Sequence, residues 1–238
     1  QGASDLGDDI SQGVSDLGDD ISQGASDLSD DISDGLSDLN PDKDSNDSSL
    51  SSQPASTRPA EIDPEALNQL DGTKRGWGQG HNVDESNRPT GCLQFQTQYG
   101  KYDAYYIGEK TKTIYLTFDE GYENGYTSKI LDTLKEKKVP AVFFVTYDYC
   151  DRNPELIKRM ISEGHVVGNH SWSHPSMPTV SLEKAKDEIL KLHEYVKTNF
   201  GYEMTLFRPP MGEFSERTLA LTQQLGYKSV FWSYAYQD

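Results

Sequence analysis

Apolar residues recur along this chain in several distinct patterns, and each predicts a different kind of structure. From residue 113 onward, short β-branched and aromatic runs alternate with longer amphipathic ones. Strands are expected at 113–118 (TIYLTF), 141–146 (AVFFVT), 165–168, 204–207 and 228–233. Helices are expected at 125–138, at 154–163 behind Asn153 and Pro154, and at about 181–199 with Ser181 as N-cap. A further helix is expected from Ser215 to Leu225, where Gly226 stops the run. Repeated β-α units place the chain in the α/β class, with a parallel sheet or barrel wrapped by helices.

Upstream the pattern changes. The first 39 residues repeat every eleven positions (SQGVSDLGDDI at 11–21, SQGASDLSDDI at 22–32), and their apolar residues step by three and four, about 3.67 residues per turn. That spacing suits a helical seam, but each repeat is mostly Ser, Gly and Asp with no basic residue. Residues 1–40 therefore read as a disordered or barely helical acidic spacer. Residues 41–60, rich in Ser, Pro, Asn and Asp, read as an extended linker. Residues 61–112 carry aromatics and glycines without a sustained period and read as an irregular lead-in layer packed against the domain at 113–238.

Charge narrows the partners. The formal net charge is −17, and residues 1–60 hold fourteen Asp against one Lys and one Arg, so residues 61–238 carry only −5. No nucleic-acid partner is expected, because phosphates call for a Lys/Arg-rich face, and an anionic membrane surface would repel the repeats. The longest apolar runs are a handful of residues, well short of the roughly 18 that a transmembrane helix needs. Residue 1 is Gln and not Met, so the missing signal-peptide core says nothing about a natural leader. Cys92 and Cys150, far apart in sequence, leave a single bridge and two inert thiols both open. Oligomeric state is not legible.

In parallel α/β folds the strand carboxyl ends open onto one rim, so polar residues just past each strand converge. Asp119 and Glu120 follow the first strand, His170 and His174 the strand at 165–168, and Arg208 the strand at 204–207. His170 and His174 lie four apart, which suits a divalent metal on a single turn, the most that Pro175 allows. An isolated HxxxH in a loop more often caps or hydrogen-bonds. A carboxylate at the neighbouring strand end shifts the balance towards a catalytic centre of two His and one carboxylate, open to Zn²⁺ and other first-row ions. Asp119 and Glu120 allow one carboxylate to bind metal while the other takes a proton from water; the alternative is an acidic turn. Arg208, with Pro209, Pro210 and Gly212, starts a stiff turn on a fixed cation that suits holding a carboxylate ionised; the alternative is a surface arginine.

TFDEG at 117–121, HSWSHP at 170–175 and RPPMG at 208–212, in this order and spacing, resemble the first three motifs of the polysaccharide deacetylase domain (NodB homology, carbohydrate esterase family 4). The resemblance covers about residues 113–238. More narrowly, IYLTFDEGYENGYT at 114–127, VFWSYAYQD at 230–238 and WGQGHN at 77–82 resemble the peptidoglycan N-acetylmuramic acid deacetylases of the spore-cortex δ-lactam pathway. The resemblance implies a distorted (β/α) barrel that hydrolyses N-acetyl groups on amino sugars of peptidoglycan glycan strands, outside the cell or in its envelope. By motif position it implies Asp119 as general base, Arg208 as its partner and the Met211 backbone N–H as oxyanion donor. It also implies His170, His174 and Glu120 as ligands of a divalent metal ion, Zn²⁺ first among candidates. Pro209 and Trp232 would line the sugar groove, a buried strand tryptophan being nearly as good a reading of Trp232.

The chain departs from the family pattern at three points. Glu120 stands where most of the wider family has Asp, and its extra methylene shifts the carboxylate outward. Ala235 stands where many relatives have an Asp that supports the catalytic histidine. Both changes resemble the spore-cortex branch. The family's last strand carries a Leu-x-His histidine that protonates the leaving amine, and none of His81, His165 and His193 substitutes for it. The expectation is a fragment clipped at both ends. Two functions follow: a metal-dependent de-N-acetylase acting on N-acetylmuramic acid, with N-acetylglucosamine of peptidoglycan or chitin-like oligomers second, or a glycan-binding module on the same fold in which catalysis has decayed.

Overall fold

The computed structural model describes residues 62–235; the repeats and linker expected at 1–60 lie outside them, as do residues 236–238. The lead-in segment is more ordered than its sequence suggests. It holds helix α1 (Pro64–Gln69), strand β1 (Arg75–Gly76), helix α2 (Thr90–Tyr99) and strand β2 (Ala104–Tyr105). Helix α2 is hard to see as a period because its core-facing stripe is short, only Cys92, Phe95 and Tyr99 among polar Gln and Thr residues.

Past residue 113 the alternation is as expected, with shifted ends. Strand β3 (Thr117–Glu120), helix α3 (Thr127–Lys137), β4 (Val142–Val145), a short unexpected α4 (Tyr147–Arg152), α5 (Pro154–Ser162) and β5 (Val166–Asn169) come first. Then follow α6 (Leu182–Phe200), β6 (Leu206–Phe207), β7 (Glu213–Phe214), α7 (Glu216–Gln224) and β8 (Lys228–Val230). Ser181 caps α6 by accepting the Lys184 N–H, and Ser215 forms a reciprocal capping pair with Thr218 at the start of α7. Gly226 follows α7 at φ +82°, a conformation that costs glycine nothing.

Six strands form one parallel sheet in the order β2-β8-β6-β5-β4-β3. Among the described residues the sheet is open between β2 and β3 and no barrel closes. A separate two-stranded ribbon pairs β1 antiparallel with β7. The first strand differs most from expectation. It starts at Thr117, not at 113, because its ladder partners on β4 are Val142 to Val145, and Ile114 and Tyr115 stay exposed. Asp119 and Glu120 therefore lie inside the strand, on opposite faces of the pleat.

The register aligns the strand ends. Glu120 sits beside Val145, Val145 beside Asn169, Asn169 beside Phe207 and Phe207 beside Ser229. Phe143, Val145, Val167 and Phe207 join the cluster of helix residues Leu131, Ile157, Ile189 and Leu221, so that set forms the main core. A second core belongs to the lead-in: Trp77, Cys92, Tyr99, Ala104 and Tyr106 pack with Phe214, Leu219 and Phe231, and Tyr106 stacks on Phe231 with ring centres 4.3 Å apart. Cys92 and Cys150 are buried free thiols, and burial pushes them up to about 11 and about 12, which keeps both protonated and unreactive. No helix of the described residues is long and apolar enough to cross a membrane.

Gly168 is the tightest point of the sheet. It pairs with Phe144, and a Cβ built on it would lie 2.4 Å from Phe144 Cδ1. Phe144 is fully buried and carries the Arg208 guanidinium 4.3 Å above its ring centre. Gly168→Ala is expected to destabilise the fold by about 1–3 kcal/mol, the cost of overpacking a filled core. Urea unfolding of the variant against the parent checks it, and an unchanged midpoint would show that Phe144 has room to move.

Candidate active site

Three strand ends supply the site. The sheet's hydrogen bonding continues one residue past β5 and β6: His170 N–H donates to Val145 O at 2.9 Å and Arg208 N–H donates to Asn169 O at 3.0 Å. His170 and Arg208 thus stand side by side above the sheet, next to Asp119 on β3.

Arg208 is 3% exposed, and nearly every donor it has is used. Its Nη1 meets Asp119 Oδ1 at 2.7 Å, Nη2 reaches Thr117 Oγ1 at 2.9 Å and Phe231 O at 3.1 Å, and Nε reaches Val230 O at 3.0 Å. Burial pulls the arginine pKa down and the Asp119 charge opposes it. The Asp119 side chain remains 39% exposed, so the carboxylate is held from behind and open in front. This is the pairing expected from the sequence, with Thr117 as a partner that only the fold reveals.

The histidine loop is held against its own strain. Ser171 and His174 have φ of +70° and +55°. Buried Asn169 accepts the Ser171 N–H at 2.8 Å, and Ser171 Oγ accepts the His174 N–H at 3.0 Å. Glu188 of α6 accepts from Ser173 N–H at 2.6 Å, from Ser173 Oγ at 2.8 Å and from Lys184 Nζ at 2.6 Å. Burial raises the Glu188 pKa, yet the Lys184 and Ser173 bonds outweigh it and the carboxylate stays below its usual range. A charged residue on the stripe Ala185, Ile189, Leu192 and Val196 was the sequence signal for this anchor.

His170 Nδ1 lies 2.8 Å from Arg208 O, a group that only accepts, so Nδ1 carries the proton and Nε2 presents a lone pair. Burial lowers the His170 pKa to about 4, leaving the ring neutral near pH 7. The exposed His174 directs its Nε2 to within 3.2 Å of His170 Nε2. Two nitrogens each about 2.0–2.1 Å from one tetrahedral ion would be separated by roughly this much, so the imidazole pair fits a divalent cation.

Glu120 does not join them. The pleat turns it to the side of Val145 and the helices, 9% exposed, within reach of the charges of Glu123 and Asp119 and of the Thr127 side chain. Among the described residues no three His, Cys, Asp or Glu side chains form a metal-holding group. Expectation put Glu120 in the ligand set, and strand alternation overrides it. Burial first, then Glu123 and Asp119, raises its pKa to about 7.

The turn after Arg208 is bent by Met211 at φ +59° and Gly212 at φ +62°. Its own bonds run from Gly212 N–H to Pro209 O and from Glu213 N–H to Pro210 O, and neither uses the Met211 N–H. Met211 is exposed, whereas Pro209 is buried and stiffens the turn from beneath instead of lining an open groove. Trp232 is half-buried, its ring centre 5.7 Å from Arg208 Cζ.

Known proteins resemble this chain in sequence and in fold. The polysaccharide deacetylase family profile matches residues 107–230. The chain is 47% identical over 164 residues to the peptidoglycan-N-acetylmuramic acid deacetylase PdaA of Bacillus subtilis, covering 68% of this chain and 62% of that protein. It is 37% identical over 134 residues to a peptidoglycan-N-acetylglucosamine deacetylase of Bacillus cereus, covering 56% of this chain and 49% of that protein. The chain thus spans less than two thirds of these relatives. The solved structure of Bacillus subtilis PdaA, a family 4 carbohydrate esterase, superimposes with a TM-score of 0.65 at 45% identity over 69% of this chain and 71% of that one. The fold is therefore the (β/α)-barrel type of that family.

The buried Glu120 generates a pH prediction. Its folded pKa of about 7 lies above its usual 4.5, so between those values the folded state holds a proton that the unfolded state has released. Stability from this group is present at low pH and lost as pH rises through 7, by about 3 kcal/mol. Glu120→Gln is expected to match the parent near pH 4.5 and to exceed it in urea-unfolding stability at pH 8. A parallel pH dependence of the two proteins would place the Glu120 carboxyl in water or on a cation.

Proposed function

Because the chain belongs to the polysaccharide deacetylase family, we propose that it hydrolyses N-acetyl groups on the amino sugars of peptidoglycan, N-acetylmuramic acid first among them. The observation that carries this reading is the exposed Asp119 carboxylate clamped at 2.7 Å by a buried arginine, beside an imidazole pair and an outward-bent turn.

Asp119, held at 2.7 Å by Arg208, takes the proton of a water as that water attacks the acetamido carbonyl carbon. The carbonyl oxygen becomes an oxyanion and accepts a hydrogen bond from the Met211 N–H. Collapse breaks the C–N bond, acetate forms, and the proton gathered by Asp119 goes to the departing amine. A divalent ion such as Zn²⁺ held by His170 and His174 would supply Lewis-acid polarisation of the carbonyl. Peptidoglycan as substrate puts the site of action in the cell envelope.

Similarity to the Bacillus cereus protein favours N-acetylglucosamine as the second substrate. A glycan-binding role without turnover is supported by the placement of Glu120 away from the imidazoles.

Incubation with peptidoglycan is expected to release acetate, and Asp119→Asn to lower the rate roughly 10²- to 10⁴-fold. Mass analysis of the digested glycan identifies the deacetylated sugar, and a chelator is expected to slow the reaction until Zn²⁺ is restored. Absence of acetate from peptidoglycan and from chitin oligomers, with glycan binding unaltered in His170→Ala, would replace the enzyme by the binding module.

A further inference from the structure

The lead-in segment reaches Trp232 through Trp77 and Gln79. Trp232 leaves β8 and lays its ring beside Arg208, and its indole N–H and its backbone oxygen are both bonded to that segment. Its indole Nε1–H donates to Gln79 Oε1 at 3.2 Å, and its backbone oxygen accepts from Trp77 Nε1 at 2.9 Å. An indole N–H only donates, so the glutamine must turn its oxygen towards it.

The same segment grips the turn that carries Met211. Trp77 N–H donates to Gly212 O at 2.9 Å, and β1 pairs with β7 directly after the turn. A Cβ at Gly212 would fall 2.7 Å from Trp232 Cη2 and 3.2 Å from Trp77 Cβ, so Trp77, Gly212 and Trp232 are packed without slack. Gln79 is itself fixed from behind: a Cβ at Gly91 would fall 2.9 Å from Gln79 O. A half-buried aromatic ring with one anchored edge is a rigid apolar platform, and rigidity lowers the entropy lost when a sugar ring settles on it.

We propose that Gln79 is a positioning residue that sets the orientation of Trp232, and that this pair determines affinity for the sugar ring while Asp119 and Arg208 determine bond breaking. The proposal rests on the deacetylase reading for its substrate class, a glycan of N-acetylated amino sugars. It assigns a function to the WGQGHN stretch that the strand-end residues leave unexplained.

The test compares the parent with Gln79→Leu, which keeps the bulk and removes the acceptor, and with Gln79→Glu, which keeps the acceptor. The ¹⁵N resonance of the Trp232 indole, assigned with Trp232→Phe, reads the tether without any activity. A soluble tetrasaccharide of alternating N-acetylglucosamine and N-acetylmuramic acid is the probe for Kd, KM and kcat. Gln79→Leu is expected to shift the indole resonance and to raise Kd and KM roughly 2- to 10-fold, the loss from freeing one side chain. In that variant kcat and the urea midpoint should stay near parental, and Gln79→Glu should restore affinity. An unmoved indole resonance, a fall in kcat at constant KM, or unchanged Kd and KM would each overturn the proposal. If the parent releases no acetate, the deacetylase reading fails separately, and the Kd and indole measurements still decide the role of Gln79.

Discussion

Arg208 brings a full positive charge into the middle of the sheet, and an unpaired charge there would cost several kcal/mol. The structure meets that requirement from three directions at once. Asp119 and Thr117 of β3 take the two Nη groups, the carbonyls of Val230 at the end of β8 and of Phe231 just past it take the remaining bonds, and the Phe144 ring lies beneath. A residue just past β6 thereby ties together the ends of strands that stand on either side of it. Satisfying the guanidinium and assembling the site are one event.

The pleat then divides the labour between adjacent acids. Asp119 faces the guanidinium and solvent, while Glu120, one residue on, faces the helix layer and is driven towards its neutral form. The extra methylene of Glu matters less than the side of the strand on which it stands. The histidine loop is governed by a similar constraint. Positive φ at Ser171 and His174 is disfavoured, and the buried side chains of Asn169 and Glu188 hold the loop in place by accepting its N–H groups.

The lead-in segment is part of the same construction. Its aromatic cluster shares Phe214, Leu219 and Phe231 with the elements after residue 213, and its ribbon strand β1 borders the turn at 208–212. The second core therefore supports the rim through the elements that follow residue 213. An irregular cover could not hold Trp232 and Gly212 at these separations, because loops without packed side chains do not resist small displacements.

The amino-acid sequence alone determined the order of β-α units after residue 113, the caps at Ser181 and Ser215, the stop at Gly226, and the family. It also determined that Asp119, His170, His174 and Arg208 meet, because parallel strands present their carboxyl ends to one side whatever the loops do. These features follow from periods, caps and motifs that are local. Three things were settled only by the tertiary structure. The start of β3 depended on which residues of β4 were available to pair, and the face taken by Glu120 depended on that start. The anchoring roles of Thr117, Glu188 and Gln79 depended on bonds between residues separated by 91, 15 and 153 positions. No local pattern encodes such pairs, since each is chosen by a buried donor or acceptor seeking whatever partner the folded chain brings near.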